Sequence, residues 1–166
     1  MKLSHCLLAL PLLVAVGCGA PFHSAGGGGN VGSKQVSLTN SLVYPLSGAA
    51  PKVVLTLSDD DASCKSRAFK KARELTFVLS PGTEAPTSPG MPPMGKHTFA
   101  AQGSPDTGSY SERDAAGKKL LSMNVTSGVL AVRTESNQGE LSGDYLVVLQ
   151  DGSKLSGSFH TELCEH

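Results

Sequence analysis

The chain has 166 residues and a formal net charge of zero, with 14 basic and 14 acidic side chains. This neutrality gives no reason to expect a nucleic-acid partner, and the 5% aromatic content without tryptophan is a poor composition for stacking on bases or sugars. The length suffices for one domain that buries its own core.

Residues 1–17 have the three parts of an export signal. Lys2 supplies a positive start, Leu7–Val16 forms an apolar run, and small residues lead to a cleavage site. The run is too short to cross a bilayer as a helix, which needs about 20 residues. The alternative to a lipoprotein signal is an ordinary signal peptide cut near Ala20, which would discard Cys18.

The end of this segment reads Ala15-Val16-Gly17-Cys18. It resembles the lipobox of bacterial lipoproteins, which implies cleavage before Cys18, diacylglycerol on its sulfur and acylation, so that the protein is held on a membrane. Gly19 stands where the inner-membrane retention signal of enterobacterial lipoproteins has Asp. The resemblance therefore implies the bacterial outer membrane, on its periplasmic or cell-surface face.

Residues 18–33 contain four consecutive glycines and few large side chains. Such a composition is typical of a flexible linker. The sequence therefore predicts a lipidated Cys18 followed by a flexible tether to residue 33, and a single β domain over residues 34–166.

Strand patterns then follow one another along the domain. The segments KVVLTLS and ELTFVLS alternate clearly, and the weaker candidates are SKQVSLTNSLVY, KHTFAA, GSYSER, KLLSMNV and SGVLAVRTE. Together with the last hairpin they predict an all-β fold, an antiparallel sandwich or closed barrel of about eight or nine strands. One short helix is predicted near residues 61–73, where an acidic start precedes alanines at helical spacing, and residues 81–95 are predicted to form a proline-rich loop.

The last hairpin has the clearest pattern. Leu141, Tyr145, Val147 and Leu149 share one face of the first strand, and alternate residues from Leu155 to Leu163 share one face of the second. Asp151-Gly152 between them predicts a two-residue type I′ turn.

Four cysteines are present. Cys6 leaves with the signal and Cys18 carries lipid, so Cys64 and Cys164 remain, and two cysteines in an exported domain predict a disulfide. A free thiol nucleophile and a metal ligand are the alternatives, although neither cysteine has the spacing that a zinc site needs.

Several segments of the domain also form a family resemblance: LTLSDDDASC, PPMGKHTF, Ser127–Val132 and Gly157–Cys164. With the lipobox and the glycine-rich segment, they resemble a group of small secreted lipoproteins of the myxobacterial type. His97 replaces the tyrosine that is usual there. The resemblance implies a surface-anchored β domain and no particular activity.

Candidate chemical sites are few. Asp59-Asp60-Asp61 offers oxygen ligands for Ca²⁺ but lacks EF-hand spacing, so a solvated corner is the preferred interpretation. His97 and His160 are candidates for a metal pair or a general base, but both are predicted on outward strand faces.

A third candidate is the basic cluster of residues 65–73, which could meet anionic lipid headgroups or serve as a solvated helix face. The sequence therefore predicts no enzyme, no metal and no cofactor. It predicts a lipid-anchored protein with a structural or interaction role, whose partner is an envelope protein or an anionic lipid, and the alternative is a barrel that binds a small apolar ligand.

Overall fold

The computed structural model describes residues 24–46, 52–60, 64, 72–80, 94–100, 102–134 and 140–164. These residues contain ten β-strands and no helix, and every pairing between the strands is antiparallel. The predicted all-β antiparallel fold is confirmed. The strands are β1 (Ser24–Val31), β2 (Lys34–Leu38), β3 (Asn40–Leu46), β4 (Lys52–Ser58), β5 (Arg73–Leu79), β6 (Gly95–Ala100), β7 (Thr107–Arg113), β8 (Lys119–Thr134), β9 (Glu140–Leu149) and β10 (Lys154–Glu162).

The sheet is nearly closed on itself and resembles a barrel. Its strand order is β2-β1-β10-β9-β8-β7-β5-β4-β3, with β6 added beside β8. The first and last strands of this path are consecutive in the chain and are separated by Thr39. At this seam the backbone N–H of Ala25 donates to the carbonyl of Thr39 at 3.0 Å, and the Ser41 hydroxyl donates to the carbonyl of Ser24 at 2.9 Å. The two ends of the strand path are therefore joined by the continuous chain at Thr39 and by these two hydrogen bonds.

Strand β8 pairs with different strands along its length. Its first part pairs with β7, whereas its second part lies between β9 and β6. The register with β9 shifts between Val125 and Ser127, and such an irregularity bends a strand and increases its twist. The sequence segments KLLSMNV and SGVLAVRTE thus form one bent strand, while SKQVSLTNSLVY divides at Thr39 into two strands.

The barrel interior is filled by aliphatic and aromatic side chains. Phe77 lies against Phe99 with ring centroids 5.1 Å apart and against Tyr145 at 6.3 Å. The predicted inward faces of the last hairpin are confirmed, since Leu141, Tyr145, Val147, Leu149, Leu155 and Phe159 are all buried.

The turn of this hairpin differs from the prediction. The loop consists of residues 150–152. The Leu149 N–H donates to the Ser153 carbonyl at 2.8 Å, and the Leu149 carbonyl accepts the Gly152 N–H at 2.9 Å. Gly152 has a φ of 84°, while Asp151 has a negative φ. A type I′ turn needs positive φ at both central residues, so the prediction of that turn is wrong. Asp151 instead accepts hydrogen bonds from the backbone and hydroxyl of Ser153, and these bonds lower the pKa of its carboxyl group.

The flexible tether predicted for residues 18–33 is wrong for residues 24–33. Residues Ser24–Val31 form β1, which pairs with β10 on one side and with β2 on the other. A Cβ atom on Gly28 would overlap the carbonyl of Val36, and one on Gly29 would overlap the carbonyl of Lys154. Here the absence of side chains permits close approach of three strands, which is the use of glycine that a composition argument overlooks.

The Tyr145 side chain lies over two of the glycines. A Cβ on Gly27 would lie 2.8 Å from the hydroxyl oxygen of Tyr145, and a Cβ on Gly157 would lie 3.0 Å from the same atom. Tyr145, Gly157 and Gly27 are register partners across β9, β10 and β1. The tyrosine hydroxyl therefore occupies space that a side chain at either glycine would need.

Two predicted features fall mostly on residues that are not described. The helix near residues 61–73 lies outside the described residues except for Cys64, Ala72 and Arg73, and Arg73 is already the first residue of β5. Of the predicted proline-rich loop over residues 81–95, residues 81–93 lie outside the described residues. Met94 is described, and Gly95 begins β6.

Replacing Tyr145 with phenylalanine is expected to leave the protein as stable as before or about 1 kcal/mol more stable at neutral pH. The Tyr145 hydroxyl is buried and has no hydrogen-bond partner among the described residues, so its removal relieves a desolvation penalty while the ring remains. Tyr110→Phe is the control. Its hydroxyl donates to a carboxylate oxygen of buried Glu112 at 3.0 Å, so this change should destabilise by about 1–3 kcal/mol. Urea unfolding of both variants tests the difference.

Because of the same hydroxyl, we expect the free energy of unfolding to fall at alkaline pH. Burial raises the pKa of Tyr145 from 10 to about 12, so between these values the unfolded chain releases a proton that the folded chain retains. The free energy of unfolding should therefore fall as the pH rises above 10, by about 1.4 kcal/mol per pH unit for each such group. Tyr110, whose pKa is raised mainly by burial and also by Glu112, contributes in the same direction. An equally steep fall for Tyr145→Phe and the unaltered protein would contradict the assignment.

Candidate functional site

The disulfide is the covalent feature that the sequence predicts and the structure contains. Cys64 and Cys164 are bonded, with a sequence separation of 100 and their Cα atoms 5.2 Å apart. Cys164 is buried against Leu42, and Tyr44 packs on the same small cluster. Its backbone N–H donates to the carbonyl of Val43 at 2.8 Å. The bond thus fastens the segment after β4 to the chain end that follows β10.

The predicted lipid attachment site lies outside the described residues. Cys18 precedes Ser24, the first described residue, and the structure therefore gives no position for it. Its lipidation stays a prediction from the sequence.

His97 has a different environment from the outward strand face predicted for it. It is buried on the same face of β6 as Phe99. Its Nδ1 lies 2.8 Å from Oδ2 of Asp106, which is also buried. The other carboxylate oxygen of Asp106 accepts the backbone N–H of Ser80 at 2.8 Å. This carboxylate connects β6 to the end of β5 and the start of β7, and the surface assignment of His97 is wrong.

The second histidine is far from the first. His160 is half-buried on β10, and β9 and β8 lie between β10 and β6. Three strand spacings correspond to about 14 Å, so the two imidazoles do not form a pair. A His–Asp pair can orient a general base, but the hydroxyls next to Asp106 are engaged elsewhere: Ser80 donates to the carbonyl of Pro105 and Ser104 to that of Thr98. The His97–Asp106 contact therefore joins β6 to the segments that follow β5 and precede β7.

Replacing Asp106 with alanine is expected to destabilise the protein by about 2–3 kcal/mol, because a buried imidazole and a backbone N–H each lose an acceptor. Asp144→Ala is the matched control. Asp144 pairs with Arg133 at 2.7 Å on the exposed face, and such pairs contribute about 0–1 kcal/mol. Equal effects of the two substitutions in chemical denaturation would contradict the structural role of Asp106.

The acidic run after β4 is partly built into the fold. Asp59 accepts the backbone N–H of Arg73 at 2.6 Å, and its other oxygen lies 3.9 Å from the Arg73 guanidinium. Asp60 donates its backbone N–H to the Ser58 hydroxyl at 3.0 Å. Asp61 lies outside the described residues. Within the described ranges no three Asp, Glu, His or Cys side chains are grouped closely enough to bind a metal ion.

Two buried carboxylates were not predicted from the sequence. Glu112 is buried, accepts the Tyr110 hydroxyl at 3.0 Å and pairs with Lys34 of β2 at 3.2 Å. Glu74 of β5 is also buried, opposite Ser111 and so on the other face of the sheet, and pairs with Arg113 at 3.2 Å. The alternation in β7 was an available signal, since Glu112 is two residues from buried Tyr110 and must share its inward face. The Lys34–Glu112 pair joins β2 to β7, and the Glu74–Arg113 pair joins β5 to β7.

One cleft opens beside Asn124 and Val125, where the pairing of β8 with β7 ends and its pairing with β9 begins. It has a volume of about 250 Å³ and lies between the end of β6, the loop before β7 and the bend of β8. Phe99 and Val125 give it an apolar part, whereas Asp106 and Asn124 give it polar atoms. Drug-sized ligands usually occupy about 300–1,000 Å³, so this cleft matches a small, mixed-polarity molecule at most.

Comparison with known protein families, with curated proteins and with solved structures finds no match to this chain. Within the part of the chain that the structure describes, no helix has the length and apolar character needed to cross a membrane.

Proposed function

We propose that this protein is a lipid-anchored lipoprotein of the bacterial outer envelope with a structural or interaction role and no catalytic activity. The anchor is Cys18, in the lipobox-like sequence Ala15-Val16-Gly17-Cys18. The disulfide between Cys64 and Cys164 supports export, because such bonds persist in oxidising compartments outside the cytosol.

The observation that carries the structural role is the filled barrel interior. Barrels of about eight strands hold a small ligand when their centre is left open. The main core of this barrel includes Phe77, Tyr110 and nine leucines with almost no solvent exposure, and the Phe77 ring packs against the rings of Phe99 and Tyr145. A packed interior leaves the outer surface and the barrel ends for contacts with partners.

The partners that we propose are the membrane, through the anchor, and an envelope protein or anionic lipid. One member of the basic cluster, Arg73, is engaged within the fold: its guanidinium donates to the carbonyl of Gln35 at 3.1 Å. Lys65, Arg67, Lys70 and Lys71 lie outside the described residues. A nucleic-acid partner is not proposed, because the chain has no net charge.

A second candidate is a small-molecule binder, and the cleft beside Phe99 is the observation that favours it. The two candidates predict different masses for the native protein. Native mass spectrometry of the mature protein, released from detergent micelles, should give the mass of the lipidated chain for the first. An additional mass that is lost on gentle activation would favour the second.

The anchor is tested by Cys18→Ala. The unaltered full chain, expressed in a Gram-negative host with radiolabelled palmitate, is expected to carry the label and to sediment with the outer membrane, because its acyl chains bury in the bilayer. Cys18→Ala should lose the label and leave that fraction. A Cys18→Ala protein that stayed in the outer membrane at the same level would overturn the lipid anchor.

A further inference from the structure

The position of β1 sets how far the folded barrel can be from the anchor. Residues 19–23 separate Cys18 from Ser24, where β1 begins. Even a fully extended chain covers only about 20 Å between these two residues. The tether to residue 33 that the sequence predicts would have reached about 55 Å.

This reach is shorter than the barrel itself. A domain of about 140 residues is about 35–40 Å across, so an anchor attached at Ser24 cannot lie near the opposite end of the barrel. The opposite end contains the β9–β10 turn, since β1 and β10 are antiparallel and Ser24 pairs with His160 while Asn30 pairs with Lys154.

The end of the barrel at Ser24 also contains two of the exposed large apolar side chains. Met94 precedes Gly95, whose row of register partners runs through Val132, Gly143 and Phe159 to Ala25, next to Ser24. Leu46 ends β3, which bridges Leu163 in parallel through Val43 and continues beyond it. Leu46 is 41% exposed and Met94 is 37% exposed.

The charges at this end are mixed. Lys52, the register partner of Leu46, is exposed, as are Lys96 and Arg133, while Glu140 is half-buried and Arg133 is paired with Asp144. These three cationic and two anionic side chains nearly balance, so this surface matches zwitterionic phospholipid headgroups and does not require anionic lipid.

We propose that the Ser24 end of the barrel, comprising Ser24, Leu46, Met94 and His160, lies against the bilayer that holds the anchor, with Leu46 and Met94 at the headgroup region. This inference rests on the proposed lipidation of Cys18. It leaves the β9–β10 turn pointing away from the membrane, toward any partner in the surrounding solution.

The absence of tryptophan from the chain makes a direct test possible. Single substitutions Leu46→Trp and Met94→Trp are introduced into the full lipidated protein, which is reconstituted in phosphatidylcholine vesicles with brominated acyl chains. The matched controls are Leu146→Trp, an exposed apolar position in the middle of β9, and Gln150→Trp, on the turn about 20 Å from His160 along β10. Circular dichroism and the oxidised state of the disulfide confirm that each variant is folded.

The expected result is a blue shift and a loss of emission for Leu46→Trp and Met94→Trp, with neither change for the two controls. Folded variants that float with the vesicles but show equal quenching at all four positions, or none at Leu46 and Met94, would overturn the orientation while the anchor stands. Protein that neither carries lipid nor floats would overturn the anchor, and the orientation with it.

A longer tether separates the two causes of contact. Insertion of about ten Gly and Ser residues between Ala20 and Pro21 raises the fully extended reach to about 55 Å, which exceeds the barrel diameter. We expect quenching at Leu46 and Met94 to fall while flotation is unchanged. Undiminished quenching would overturn the short tether as the cause of the orientation.

Discussion

Replacing Gly28 with alanine is expected to lower the free energy of unfolding by about 3 kcal/mol or more. Gly28 has a φ of 147°, which side chains rarely permit, and a Cβ there would overlap the carbonyl of Val36 in β2. Both strain and overlap would push β1 away from β2, the strand that lies at one edge of the seam. Urea unfolding, followed by circular dichroism, measures the loss.

Gly26→Ala is the matched control in the same glycine run. A Cβ on Gly26 would meet the Ser158 hydroxyl oxygen at 3.8 Å, an ordinary van der Waals distance, and Gly26 has no positive φ. We therefore expect a change within about 0.5 kcal/mol, or a small gain from the lower entropy of the unfolded chain. If both substitutions were neutral, residues 24–31 would behave as a tether and the assignment of β1 would be wrong.

Removing the disulfide is the second change with a large expected effect. Cys64 and Cys164 close a loop of about 100 residues, for which the chain-entropy estimate is about 4.7 kcal/mol and measured losses are commonly about 2–5 kcal/mol. The double substitution Cys64→Ala and Cys164→Ala should therefore lower the free energy of unfolding by several kcal/mol. Cys164 is 1% exposed, so part of the loss comes from the space left in its small cluster.

Reduction of the unaltered protein separates the bond from the packing. Dithiothreitol should reproduce most of the loss, because it breaks the bond and keeps both sulfur atoms, and it should have no effect on the double variant. Unchanged stability after reduction, with both thiols shown to be alkylated, would contradict a stabilising role for the bond.

Parts of the fold follow from local patterns and were predictable. The faces of β9 and β10 are decided by alternation, since inward residues are two positions apart from Leu141 to Leu149 and again from Leu155 to Phe159. The disulfide was predictable from the cysteine count, because the predicted signal and lipidation would leave Cys64 and Cys164 as the remaining pair. The lipid anchor and the envelope location are also sequence statements, and they await the experiments described above.

Other features depend on contacts between distant segments. His97 is two residues from buried Phe99 and shares its face of β6, but its partner Asp106 comes from the segment before β7 and also accepts the Ser80 N–H at the end of β5. Glu112 is buried because Lys34 of β2 and Tyr110 supply its partners. Asp106 and Lys34 lie outside β6 and β7, so spacing within those strands does not identify them as partners.

The sequence by itself determined the class of fold, the last hairpin and its inward faces, because period-two alternation is a local property of an extended chain. Only the tertiary structure decided that Gly26–Gly29 is a strand. A glycine run has no pattern of its own, and its conformation is set by the close approach of β2 and β10 and by the Tyr145 hydroxyl beside Gly27. That decision also shortens the link to Cys18, and with it the distance between the barrel and the proposed membrane.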